Sequence, residues 1–143
     1  MDPDIPTFGK KEDGLEYTFR PGGYLVVKNE IGAIAAVRSE KGFYLPGGGL
    51  DDGESPEAAA IREAGEECGM RVEIDGEIGT ADEFIYVEEE DTHFQKRGTF
   101  FSARPMTIDG GGDHELVWLP RAEAIEKLKH ESQRWAVERS PAP

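Results

Sequence analysis

Residues 48–70, GGLDDGESPEAAAIREAGEECGM, are the stretch of the 143-residue chain from which the fold can be read. Seven acids and one base, Arg62, fall within it. Such a density of negative charge is unfavourable unless a cation neutralises it. Ser55 has a helix N-capping side chain, Pro56 suits the first helical position, and Gly69 suits the C-terminal stop. The spacing therefore predicts a helix over residues 56–68. At about 100° per residue, Glu63, Glu66 and Glu67 share one arc, and Ala58, Ile61, Gly65 and Cys68 lie opposite. The expectation is a carboxylate face for binding and a small-residue face for packing. Gly65 costs about 1 kcal/mol against Ala inside a helix, and close packing onto a sheet is the expected reason for it. An acidic helix face by itself is equally well explained as a solvated surface. The Gly turn and Arg62 at fixed spacing give the stretch its meaning.

Outward from this stretch, the chain reads as strands and loops. Residues 1–14 read as a loosely ordered lead-in. Residues 15–19 (LEYTF) alternate like a short strand, broken by Arg20-Pro21-Gly22-Gly23. Residues 24–28 (YLVVK) and 32–37 (GAIAAV) predict a hairpin of buried strands turning near Asn29-Glu30. Residues 41–45 add a strand that Pro46-Gly47-Gly48-Gly49 ends, a run that lets the backbone approach a ligand closely. Residues 71–78, 80–88, 94–104 and 115–119 read as strands. The acids at 88–91 and the Gly run at 109–113 read as loops. Residues 122–129 and 131–137 predict two short helices, with Trp135 docking the last one. No repeat or linker marks a second domain, so a single domain over residues 1–143 is expected.

Composition narrows the function. The net charge of −14 argues against a nucleic-acid backbone or an anionic membrane as the main partner. A small phosphorylated ligand is still allowed, because a bound divalent cation reverses the local field. The single cysteine, Cys68, cannot form an internal disulfide and points to a reducing compartment. No apolar run is long enough to span a bilayer and the first residues lack a signal-peptide pattern, so a cytoplasmic location is expected.

Counted out, the stretch is Gly48, five residues, Glu54, seven residues, then Arg62-Glu63-Ala64-x-Glu66-Glu67-x-Gly69-Met70. This pattern resembles the Nudix box of the Nudix hydrolase family, in its MutT-like form. Seven fixed identities at roughly 0.1 each over about 120 registers give a chance match of order 10⁻⁵. One departure is Ala64, where the family usually has a larger aliphatic residue. The resemblance implies an α/β Nudix α/β/α sandwich, with a mixed β-sheet between the box helix and a C-terminal helix. It implies a Mg2+-dependent pyrophosphohydrolase (Mn2+ as a substitute) that cleaves a nucleoside diphosphate linked to a group X. A nucleoside triphosphate or dinucleoside polyphosphate is the favoured substrate. ADP-ribose or a nucleotide sugar is the alternative, and a non-catalytic binding or regulatory module is a third reading. By matching positions, Gly48, Glu63, Glu66 and Glu67 are the metal ligands. Glu63 is alternatively the base, and Arg62 pairs with Glu54 to orient the carboxylates.

Outside the box the candidates rest on less. Glu115 is the candidate base on a neighbouring strand. Arg20, Arg38, Phe43 and Tyr86 are candidate substrate contacts, and Lys96, Arg97 and Arg104 are further cations within reach of phosphate. Tyr86 follows the box by sixteen residues, a spacing similar to that of family members acting on diadenosine polyphosphates. Position 85 is Ile, not the Pro that marks many ADP-ribose hydrolases. His93, His114 and His130 read as surface or structural histidines. The expected partner is a small phosphorylated nucleotide-like molecule, with no nucleic acid and no membrane; a homodimer is compatible with the sequence.

Overall fold

The computed structural model describes residues 4–141. In chain order the strands are β1 (Thr7–Phe8), β2 (Thr18–Val27), β3 (Ile34–Ser39), β4 (Gly42–Tyr44), β5 (Gly47–Gly49), β6 (Met70–Val87), β7 (Thr92–Ile108) and β8 (Glu115–Leu119). The helices are α1 (Pro56–Cys68), α2 (Arg121–Lys127) and α3 (Glu131–Arg139). One sheet runs β1-β6-β7-β2-β5 and a smaller one runs β4-β3-β8. The larger sheet is mixed: β1 is parallel to β6 and β2 to β7, while β6–β7 and β2–β5 are antiparallel.

Strand alternation sorts the core into two halves. Leu25, Val27, Phe101 and Ala103 point to one face and pack with Ala60, Ala64 and Cys68 of α1. Val26 and Phe100 point to the other and pack with Ala124 of α2 and Ala136 and Val137 of α3. Successive residues of one strand thus serve opposite layers. This is the expected sandwich, helix–mixed sheet–helix.

Helix α1 begins and ends where its caps predict. The Ser55 Oγ accepts the Ala58 N–H at 3.1 Å, and Gly69 adopts φ 62° with its N–H donating to Gly65 O. Its buried side differs from the one expected. Ala59, Ala60, Ala64 and Cys68 are buried, while Ala58, Ile61 and Gly65 face solvent. A Cβ at Gly65 would meet nothing within 4 Å, so sheet packing does not explain that glycine. The close approach is made from the sheet side, at Gly23, where a Cβ would collide with the Pro56 carbonyl. This lets the first turn of α1 sit directly on β2.

Several strand boundaries also differ. Pro21 does not break β2, because its ring lies on the side of the strand where β5 has already ended; the Pro21 carbonyl on that side accepts the Leu50 N–H at 3.3 Å. Residues 24–28 and 32–37 do not form a hairpin. They share a single bridge, Lys28 with Ile34, and then separate into different sheets. The Asn29 side chain turns the chain there by accepting the Ile31 and Ala33 N–H groups. The run Gly47–Gly49 is itself a strand, and β6 runs unbroken through Gly79. The lead-in is pinned where described: β1 pairs with β6, and Phe8 packs against Trp135. Residues 1–3 lie outside the described residues. Trp135 docks the last helix as expected, edge-on to Phe100.

Candidate active site

A cleft of about 770 Å³ opens between the two sheets beside β5. The glycines of β5 and Glu67 line one wall; Tyr44, His130, Ser132 and Gln133 line another; Arg20, Lys96 and Gly98 form the floor.

The box helix supplies three carboxylates in a graded series of exposure. Glu67 is turned inward, and its Oε1 accepts the Gly47 N–H at 2.9 Å. Burial pushes its carboxyl up to about 7; the Gly47 hydrogen bond opposes the shift and the Glu63 charge adds to it. Glu63 is partly buried and pressed against Gly48, where any Cβ would collide with its carboxylate. Burial and the neighbouring Glu66 carboxylate push Glu63 upward against the pull of Arg62. Glu66 is the outermost of the three, with a side chain 52% exposed.

Arg62 is the hub that holds the series. Its Nε and Nη2 grip the Glu54 carboxylate at 2.9 Å each. Its Nη1 donates to Glu63 at 2.7 Å and to Glu66 at 3.2 Å, and its Nη2 also reaches the Gly49 carbonyl at 3.1 Å. This fork holds the Glu54 carboxyl down to about 2, helped by the Asp51 N–H. The far end of α1 is fixed by the loop after β7. The Asp113 and His114 N–H groups donate to the Glu66 and Glu67 carbonyls at 2.9 Å, satisfying acceptors that a helix end leaves free.

The donor set tests the fit of a divalent cation. Among the described residues, no group of three or more His, Cys, Asp or Glu side chains is arranged to hold a metal unaided. Magnesium does not require one: it keeps several waters and takes one or two carboxylates together with substrate phosphates. Hard oxygen donors from three crowded glutamates, with Arg62 as the one cation hydrogen-bonded among them, match that chemistry.

Of the residues singled out beyond the box, Arg20 lines the cleft. The other named contacts do not. Arg38 pairs with Glu115 at 3.8 Å across β3 and β8; both are largely exposed and neither lines the cleft. Phe43 is half-buried against the core cluster and bridges Leu128 after α2. Tyr86 is 47% exposed, donates to Asp91 at 2.6 Å and stacks on His93 near the β6–β7 turn. In each case a neighbour in sequence takes the place: Val37 and Ser39 for Arg38, Tyr44 for Phe43, Ile85 for Tyr86. Arg97 and Arg104 point elsewhere, to Asp82 and Glu73. Lys96 does line the cleft, and so do His114 and His130, which the sequence reading set aside. Gln133 was missed altogether, and no local pattern marks it.

Among solved structures the chain resembles the MutT protein from Methanosarcina mazei Go1, at 21% identity and a TM-score of 0.66, covering 88% of this chain and 95% of that one. A NUDIX hydrolase from Nitrosomonas europaea is similar at 19% identity and TM-score 0.66, covering 85% and 88%. These likenesses define the fold class as that of the Nudix sandwich. The family described as NUDIX domain matches residues 18–139, and the chain belongs to that family. A relative named "Putative 8-oxo-dGTP diphosphatase" from Bacillus subtilis (strain 168) is 31% identical over 71% of this chain and 66% of its own length. An RNA pyrophosphohydrolase from Tolumonas auensis is 40% identical over 37% of this chain and 32% of its own length. The chain thus spans from about a third to just under two thirds of these relatives.

Proposed function

We propose that the protein is a divalent-cation-dependent pyrophosphohydrolase, with Mg2+ as the cation, acting on a nucleoside diphosphate linked to a further group. The observation that carries this reading is the wall of Glu63, Glu66 and Glu67 set around Gly48 at the edge of a cleft large enough for a nucleotide. The names of the relatives, one for a nucleoside triphosphate and one for RNA pyrophosphate ends, support a phosphoric anhydride as the bond cleaved. The −14 net charge favours a small nucleotide over an RNA chain as the substrate here.

In this reading Glu66, Glu67, Glu63 and the Gly48 carbonyl would hold the cation. When bound, it neutralises charge on the pyrophosphate and lowers the pKa of an attacking water. The chain's own residues do the positioning. The Gly47 N–H fixes one oxygen of Glu67 and leaves the other for the cleft. Arg62 orients Glu63 and Glu66 and is itself locked by Glu54. Arg62 and Glu54 are therefore positioning residues. The flat glycine strand keeps side chains out of the space that the pyrophosphate needs.

The test is a panel of nucleoside triphosphates, dinucleoside polyphosphates, ADP-ribose and nucleotide sugars, incubated with Mg2+ or with EDTA and read by mass. Cation-dependent release of a nucleoside monophosphate is expected. Absence of turnover across the panel would instead leave the fold as a binding module.

A further inference from the structure

We propose that Gln133 of α3 is a positioning residue for the carboxylate wall on the opposite side of the sheet, acting through the Leu45 N–H and the glycine strand. This rests on the pyrophosphohydrolase reading and adds to it a residue that works from the far layer of the sandwich.

The glycine strand needs such support. β5 is the last strand of the larger sheet and pairs only with β2. Its three residues have no side chains, so packing does not fix how its peptide groups are turned. Hydrogen bonds must do so, and one edge of β5 has no neighbouring strand to provide them. Side chains provide them instead. The Gly47 N–H donates to Glu67 Oε1 at 2.9 Å, and the Gly49 carbonyl accepts Arg62 Nη2 at 3.1 Å. Both partners come from α1. The third comes from the other layer: Gln133 Oε1 accepts the Leu45 N–H at 2.8 Å.

Leu45 is where that bond has leverage. Residues 45 and 46 link β4 of the smaller sheet to β5 of the larger one, so they are the crossover between the two sheets that border the cleft. The Leu45 side chain is buried in the core, which fixes where the crossover lies. The Pro46 carbonyl accepts the Leu25 N–H at 2.9 Å and ties it to β2. Pro46 has no N–H, so the Leu45 N–H is the last donor before that of Gly47. A donor at so buried a residue needs an acceptor, and Gln133 provides it. The bond sets how the chain is turned as it enters Gly47, whose N–H Glu67 accepts.

Gln133 is itself held in place. It is buried and is the third residue of α3, a helix with no capping side chain of its own. The buried Glu83 of β6 takes that part. Its carboxylate accepts the Ser132 N–H at 2.9 Å, the Ser132 hydroxyl at 2.6 Å and the Glu131 N–H at 3.3 Å. These are donors that a helix start leaves free, and a negative charge there suits the helix dipole. Glu83 thus fixes α3, α3 fixes Leu45, and Leu45 presents Gly47 to Glu67.

The experiment compares wild type with Gln133→Met, which keeps the length and loses the acceptor, and with Gln133→Glu, which keeps an acceptor oxygen and loses the amide donor. Two readouts are taken on the full chain: amide hydrogen exchange of the metal-free protein by NMR, and Mn2+ affinity without nucleotide by electron paramagnetic resonance. In Gln133→Met the Gly47 amide should exchange at least about tenfold faster while the central β7 amides keep their rates. Mn2+ should bind about three- to tenfold more weakly, less than for a residue bonded directly to a metal ligand. Gln133→Glu should keep Gly47 exchange within about twofold of wild type. Glu83→Gln should act in the same direction as Gln133→Met by a smaller factor, and it carries both readouts if Gln133→Met does not fold. Lys127→Gln on α2 should change neither. Equal acceleration of Gly47 and β7 amides is a general loss of stability and overturns the proposal. So does wild-type Gly47 exchange in Gln133→Met, and so does a Gln133→Glu as impaired as Gln133→Met. Glu67→Gln separates the two readings: if it leaves Mn2+ affinity unchanged, the cation site is wrong, whatever Gly47 exchange shows in the Gln133 variants.

Discussion

The wall built by α1 and the wall built by the strands hold the same cleft by different means. On α1 Arg62 and the three glutamates lie within six residues, and Arg62 hydrogen-bonds two of them, Glu63 and Glu66, as well as Glu54 ahead of the helix. Helix geometry fixes their relative placement, so spacing alone reports it. The other wall draws Arg20, Tyr44, Ile85 and Lys96 from four separate strands, with Gln133 added from α3. On a strand, a shift of one residue moves a side chain to the opposite face. The first wall is therefore robust to small structural change and readable from sequence, and the second is neither. The lesson is that the chemistry is encoded locally and the choice of ligand is encoded by parity.

The sharpest way to break this contrast is at Glu67. Glu67→Gln keeps the Gly47 hydrogen bond and the shape but removes the charge facing the cleft. Turnover should fall by about 10²-fold or more, the scale of losing one charge-stabilising group at a reaction centre. The check is steady-state kcat with saturating Mg2+.

A second test lies outside both walls and asks whether the sheet beneath them is held electrostatically. Asp82 is 1% exposed; its Oδ1 accepts Arg97 Nε at 2.8 Å, and its Oδ2 accepts Arg97 Nη2 at 2.9 Å and the Gln95 amide at 3.0 Å. Burial pushes its carboxyl up, but the Arg97 fork and the Gln95 amide outweigh that and hold it below the usual range. A lowered native pKa means the stabilisation is present at neutral pH and is lost as pH falls through the native value. Asp82→Asn should cost about 3 kcal/mol at pH 7 by removing the buried carboxylate charge that faces the Arg97 guanidinium. The variant should also lose less stability than wild type between neutral and acid pH. Urea unfolding at both pH values reads both effects.

Milder still is the loss of orientation. Glu54→Gln leaves every proposed ligand in place but removes one charge from the Arg62 fork. Activity should drop about tenfold to a hundredfold, as for other residues that orient metal ligands, with the larger part in kcat. The smallest effects come from the strand wall and separate its two faces. Tyr44→Ala should raise KM several-fold with kcat little changed. Tyr86→Ala, one of the residues named from sequence, should leave both constants unchanged, because its ring stacks on His93 away from the cleft.

Legibility follows the same division. The bounds of α1 and its caps were readable because each depends on contacts within a few residues, and the Arg62–Glu54 pair followed from the resemblance of the box. So were β8, ended by Pro120, and the Trp135 anchor. The expected hairpin between residues 24–28 and 32–37 failed because β2 pairs with β7, 76 residues further along the chain, and no local signal opposes the wrong pairing. Gly65 and Gly23 were misjudged together: the sequence shows that a close approach is needed, but not which partner of the contact supplies the glycine. Arg38, Phe43 and Tyr86 were each one residue from the lining position. Gln133 was unreadable because its role depends on a single long-range bond, its Oε1 accepting the Leu45 N–H at 2.8 Å.

The central claim is that the α1 carboxylates form a cation site that a phosphate substrate completes. Mn2+ titration read by electron paramagnetic resonance tests it most directly, with and without a non-hydrolysable nucleoside triphosphate. The account predicts binding that tightens when nucleotide is present and that weakens at least tenfold in Glu66→Gln and in Glu67→Gln. Mn2+ binding that ignores both the nucleotide and these two substitutions would contradict it.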